Sequence, residues 1–206
     1  QATADASGKP LWLRRGGLVT RGLWAAELAV TASPRRTHLP AGARRLDVPV
    51  GPAVVLAGWR CERGGPKPRG CDEPLEGGDR LQPTLYWSST GGIETAWHVT
   101  VQLLPASPAG DPAGPPVAQS DGPPAGGSRP ATGWSPGEIV SDDHVLDVPD
   151  DLSPGRYLLI AALYDPLRPD VPRPVARQDG RERDYVLLSE IAAEGHGAAP
   201  TPDGRR

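Results

Sequence analysis

The stretch SDDHVLDVPDD, residues 141–151, gathers Asp142, Asp143, His144, Asp147, Asp150 and Asp151 within ten residues. Carboxylate oxygens at that density are the ligands a calcium ion takes. The spacing is not that of an EF-hand loop, however, and aspartate is also a common turn former on either side of a strand. The cluster is therefore expected to bound turns, and no metal or cofactor is implied. Nucleophilic catalysis needs a serine on a strained turn with a base beside it. The chain has no G-x-S-x-G, and His38, His98, His144 and His196 are scattered among loop, strand and tail positions. His98 falls on the outward face of its strand, a solvated position. No carboxylate pair suggests glycosyl transfer or hydrolysis. The chain is not expected to be an enzyme.

Tryptophan offers a different chemistry, because the apolar face of a sugar stacks on an exposed indole. Trp59 in AGWRC and Trp134 in TGWSPGE stand beside glycines at loop or strand ends. Trp134 and His98 form the candidate ligand surface, with a sugar as the possible ligand. The competing role for Trp134 is to close the end of a core, and the absence of phenylalanine favours it. Cys61 and Cys71 bracket ERGGPKPRG, a stretch of nine residues rich in glycine and proline. The spacing is wrong for a zinc knuckle, and no second cysteine pair exists to complete a site. A disulfide closing a flexible loop fits better, and it implies an oxidising compartment.

These residues must be placed by a chain of 206 residues with 26 glycines, 26 prolines and a net charge of −3. That charge gives no electrostatic reason to bind nucleic acid or an anionic membrane. No apolar run approaches the ~20 residues of a membrane helix, so no span is expected in this chain. There is no methionine, and the chain opens QATADASGKP. That opening reads either as the mature end of an exported protein or as the edge of an excised segment.

From Leu46 onward, short runs of valine, leucine, isoleucine, tyrosine and tryptophan recur. They are LDVPV, VVLAGWR, LQPTLYW, TAWHVTVQLL, EIVSDDHVLDV, RYLLIAALYD and DYVLLSEI, each bounded by turn residues. Several alternate with the two-residue period of a half-buried strand: Trp97, Val99, Val101 and Leu103 share one face, as do Leu81, Leu85 and Trp87. Pro83 places its strand at an edge or starts it late. The fold class is all-β, an immunoglobulin-like antiparallel β-sandwich with long Pro/Gly-rich loops and an extended N-terminal segment. Leu152, Gly155 and Tyr157 form the structural corner before the most apolar strand, with the tyrosine hydroxyl expected to bond backbone upstream. Residues 1–45 read as an N-terminal extension and linker, 46–193 as the sandwich domain and 194–206 as a mobile tail. Within the extension, 11–30 fits a short helix or strands broken by glycine bends. The stretch 105–134 is dominated by Pro, Gly, Ala and Ser, and only VAQSD in it suggests a strand.

The ordered phrases TLYW (84–87), TAWHVTVQLL, VAQSDGPP (117–124), GWSPGEIVSDDHVLDVPDDLSPGRY (133–157) and LIAALYDP (159–166), leading to DYVLLSEI, resemble a β-sandwich module. That module stands at the extracytoplasmic C-terminal end of bacterial multi-span membrane glycosyltransferases of the protein-O-mannosyltransferase-like type, and in related exported proteins. The resemblance spans roughly residues 46–191 and departs at the proline-rich 105–116 and the cysteine loop. It implies a fold and an extracytoplasmic location, and it carries no catalytic residue. The expected function is a non-catalytic structural or protein-interaction module of a cell-envelope protein or assembly. The alternative is a carbohydrate-binding module at the cell surface.

Overall fold

Val140, Asp142, His144, Leu146 and Val148 are buried, while Ser141, Asp143, Val145 and Asp147 between them are exposed. This two-residue period is the pleat of a strand with one face in a core, and it recurs through the chain. The computed structural model describes the backbone of residues 11–20 and 23–30, and residues 35–64 and 69–194 in full. The expectations for residues 1–10 and for the tail beyond Glu194 lie outside the described residues.

In chain order the strands are β1 (Leu11–Thr20), β2 (Leu23–Val30), β3 (Arg44–Val50), β4 (Val54–Gly64), β5 (Arg80–Ser89), β6 (His98–Pro105), β7 (Ala118–Gly122), β8 (Val140–Asp143), β9 (Leu146–Asp147), β10 (Gly155–Tyr164), β11 (Ala176–Gln178), β12 (Arg181–Arg183) and β13 (Val186–Ala193). One sheet runs β13-β10-β6-β7. A second runs β12-β11-β3-β4-β5-β8, with β9 also on β5. Every pair between these strands is antiparallel. Their inner faces share one core that includes Leu56, Leu81, Leu85, Trp87, Val99, Val101, Leu103, Leu159 and Val186. The expected all-β antiparallel sandwich is thus the observed fold. Residues 11–30, which fitted helix or strand, are strands: β1 and β2 pair with each other in a separate two-stranded sheet.

Strand β10 lies between β13 and β6, and this explains its unbroken apolarity. Tyr157, Leu159, Ala161 and Leu163 point into the common core. Leu158 and Ile160 point the other way and, with Leu104, form a second buried cluster against Tyr185 and Leu187. Both faces are covered, so both must be apolar.

Three segments depart from the sequence expectation. Pro83 sits inside β5, which pairs on both sides. Its carbonyl accepts from His144 N–H, at the bend between β8 and β9. The nitrogen and carbonyl of one strand residue face the same side, so the missing N–H faces the interruption in the ladder, where proline is tolerated. Residues 35–43, which read as linker, form a strap on the outer face of the larger sheet. Arg36 O accepts from Ile139 N–H at 2.7 Å, and Arg35 Nη1 donates to Ser135 Oγ at 2.6 Å. Leu39 lies over Gly58, where a Cβ would come within 3.1 Å of the Leu39 methyl and 2.6 Å of the Arg44 carbonyl. Only glycine fits beneath this strap. Finally, the Pro/Gly-rich stretch after β6 is ordered. Val117 N–H bonds Leu103 O, Ala113 N–H bonds Pro105 O, and short 3₁₀ turns at Pro124–Gly127 and Ala131–Gly133 lead to Trp134.

The edge of β13 is sealed at two places. Leu75 N–H bonds Ala192 O, and Glu194 N–H bonds Leu75 O. Further along, the Gln178 amide donates to Leu187 O and accepts from Leu187 N–H, each at 2.9 Å, as a strand backbone would.

Candidate functional site

Asp142 and His144 leave the β8–β9 segment on its inward face, an acid and a base in a core stripe. Asp142 is 1% exposed. Its Oδ2 accepts from Trp87 Nε1–H of β5 at 3.2 Å and from His144 Nε2–H at 3.0 Å. Its Oδ1 accepts from Ala125 N–H in the first 3₁₀ turn at 2.8 Å. A carboxylate is an acceptor only, and three donors satisfy it inside the protein. With Nε2 as donor, His144 Nδ1 is the acceptor, and Ser120 Oγ of β7 lies 3.1 Å from it. Ser120, His144 and Asp142 therefore form a continuous hydrogen-bonded chain from one sheet to the other.

In its bonding this chain is a nucleophile–base–acid relay. Ser120 shares its face with buried Ala118 and stands opposite Val101 in the ladder. The hydroxyl thus points toward His144 from a partly buried position. The hydrogen-bonded chain joins the two sheets through a polar contact, with Asp142 Oδ2 shared by Trp87 and His144.

The other aspartates of the cluster turn away. Asp143 accepts from Thr84 Oγ1 at 2.7 Å on the outer face, and exposed Asp147 lies 3.5 Å from Arg80 Nε. Among the described residues, no group of three or more His, Cys, Asp or Glu side chains is arranged to hold a metal ion.

The two members of the candidate ligand surface are not brought together. Trp134 is buried inside the sandwich, stacked on Trp87 with ring centroids 6.5 Å apart, and its Nε1–H bonds Arg129 O at 2.9 Å. Below it Glu138, also buried, accepts from Ser135 N–H and pairs with Arg129, closing the WSPGE turn on itself. His98 is half-buried on the outer face of the smaller sheet, edge-on to Tyr164 at 5.5 Å. At the structural corner, Leu152 is in the core and Tyr157 donates its hydroxyl to Ser153 O at 2.8 Å. Burial raises the Tyr157 pKa.

Cys61 and Cys71 are bonded, with Cα atoms 5.6 Å apart. Beside them Arg63, its side chain fully buried, donates to Pro74 O at 2.7 Å and Glu73 O at 2.6 Å and pairs with Asp79 at 3.2 Å. Asp79 also accepts from Glu76 N–H at 2.8 Å. The cysteine loop is thus stapled covalently at its mouth and ionically behind it. The Arg63 cluster was not anticipated from sequence. An arginine in an apolar strand end followed by DEPLEGGD was the available signal.

Compared with protein-family models, curated proteins and solved structures, the chain matches none of them.

Proposed function

We propose that this chain is a non-catalytic, extracytoplasmic module of immunoglobulin-like type, which binds a protein partner in a cell-envelope protein or assembly. The observation that carries this reading is the separate β1–β2 sheet. Among the described residues, neither strand pairs with the sandwich. A lone two-stranded sheet is marginally stable in water, so it gains by docking on a neighbour. The disulfide supports an oxidising location outside the cytoplasm, and no described helix is long and apolar enough to cross a membrane. The carbohydrate alternative needs exposed aromatic platforms, whereas, among the tryptophans whose side chains are described, Trp59, Trp87 and Trp134 are buried and Trp97 packs partly against the core. The resemblance to the module of membrane glycosyltransferases agrees with the location and adds no chemistry.

Trypsin provides the test, since Arg14, Arg15 and Arg21 lie in and between the paired strands. Cleavage at these arginines is expected in the purified chain and protection is expected in the envelope fraction of its source. Equal cleavage in both would remove the hairpin as the partner contact.

A further inference from the structure

Between the disulfide and β5, one residue does the work of a strand. Of residues 72–78 only Leu75 is buried, at 0% exposure, and its neighbours Pro74 and Glu76 are exposed. Leu75 makes a one-residue parallel bridge with Ala193. Its N–H donates to Ala192 O at 2.7 Å, and its carbonyl accepts from Glu194 N–H at 3.3 Å. A bare strand edge offers such groups for another chain to pair with. Leu75 is thus a plug, with its side chain in the core and its backbone over the β13 margin. The plug is fastened on both sides. After it, Gly78 N–H donates to Val148 O, and Val148 N–H donates to Asp79 O. Before it, Arg63 of β4 holds the carbonyls of Glu73 and Pro74, and Cys71 is bonded to Cys61 of β4. Of these fastenings the disulfide alone can be switched by redox chemistry. Its two sulfurs are unequally placed, since Cys61 is partly exposed and Cys71 is 2% exposed.

We propose that Cys61–Cys71 is a redox latch on the β13 margin: reduction by an external dithiol releases the Leu75 plug while the sandwich stays folded. The proposal goes beyond the protein-interaction reading and does not depend on it. A thiolate of the dithiol attacks the accessible Cys61 sulfur, the S–S bond breaks, and Cys71 leaves as a thiolate that takes up a proton. The second thiol of the reductant then displaces Cys61, which also ends as a thiol. The dithiol is oxidised to its own disulfide, and the chain gains two electrons and two protons. Freed of the cross-link, the stretch before Leu75 regains loop freedom, which favours local opening at that end. Opening uncovers Ala192 O and the Glu194 N–H on β13.

The test reduces the folded wild-type chain with dithiothreitol and follows amide hydrogen exchange residue by residue across low urea concentrations. Reduction without denaturant is expected at a rate proportional to the dithiothreitol concentration. A rate that saturates at that of global unfolding would overturn the proposal, because the bond would then be out of reach in the folded chain. In the reduced chain the Leu75 and Glu194 amides should exchange at least about tenfold faster, with little dependence on urea, as a local opening does. Amides of β6 and β10 should keep the steep urea dependence of global unfolding. The Cys61→Ser/Cys71→Ser chain should reproduce this pattern with no reductant present, and reoxidation of the wild-type chain should restore slow exchange. Unchanged exchange at Leu75 and Glu194 would show that Arg63 holds the plug unaided, and the latch would fall. It would fall equally if reduction unfolded the whole chain, so that these amides and those of β6 and β10 exchanged with one urea slope.

Discussion

At Asp142, donors from β5, from the 3₁₀ turn after β7 and from His144 meet on one carboxylate. Asp142→Ala would leave the Trp87 and Ala125 N–H groups buried without acceptors, at about 1–3 kcal/mol for each. The expected loss is therefore about 2–6 kcal/mol, read as a fall in the urea midpoint at constant slope. Ser120→Ala removes only the last link and should cost about 1 kcal/mol. A midpoint unmoved by Asp142→Ala would mean that the carboxylate does not join the sheets. Half of this cluster was legible in the sequence. The alternation of Val140, Asp142, His144, Leu146 and Val148 puts an acid and a histidine on a core face. Ser120 and Trp87 were not legible as partners, because they come from other strands and no local spacing links them to His144.

At the scale of elements, the segment between β4 and β5 is held by the Cys61–Cys71 bond and by Arg63. Replacing both cysteines with serine is expected to lower the unfolding free energy by about 2–3 kcal/mol, the value for a loop of this length. Guanidinium melts of the two proteins in oxidising buffer measure it, and an unchanged midpoint would show that the Arg63–Asp79 pair holds the loop alone. The strands that supply the core were legible because their apolar runs alternate or are bounded by turn residues. The β11–β12 hairpin was missed although Asp179 and Gly180, both at positive φ, make the two-residue turn such a pair uses. Its flanks, ARQ and RER, lack the apolar alternation that marks a buried strand. The order of 105–134 was also hidden. Its bonds run to Leu103, Asp142 and the Trp87 ring, partners that composition does not reveal.

For the whole molecule, the four tyrosines give a common pH signature. Burial raises the pKa of Tyr86, Tyr157, Tyr164 and Tyr185. A raised phenol binds its proton more tightly in the folded chain than in the unfolded one. Its contribution is complete below the unfolded value of about 10 and is lost as pH rises through the folded value. Unfolding free energy from these groups should therefore hold level up to about pH 9.5 and decline above about pH 10. Urea melts across that range, with phenolate absorbance followed in the same samples, check the sign. Phenolate appearing at ordinary pH before any loss of stability would contradict the burial.

The pair of hydrogen bonds between Gln178 and Leu187 exposes the protein to a slow chemical risk. Hydrolysis of that amide to a carboxylate exchanges one nitrogen for one oxygen, almost without change of shape. The donor facing Leu187 O would become a charged acceptor facing another acceptor. One ageing event at a single side chain would then convert a closed margin of the smaller sheet into a site where a foreign strand can add.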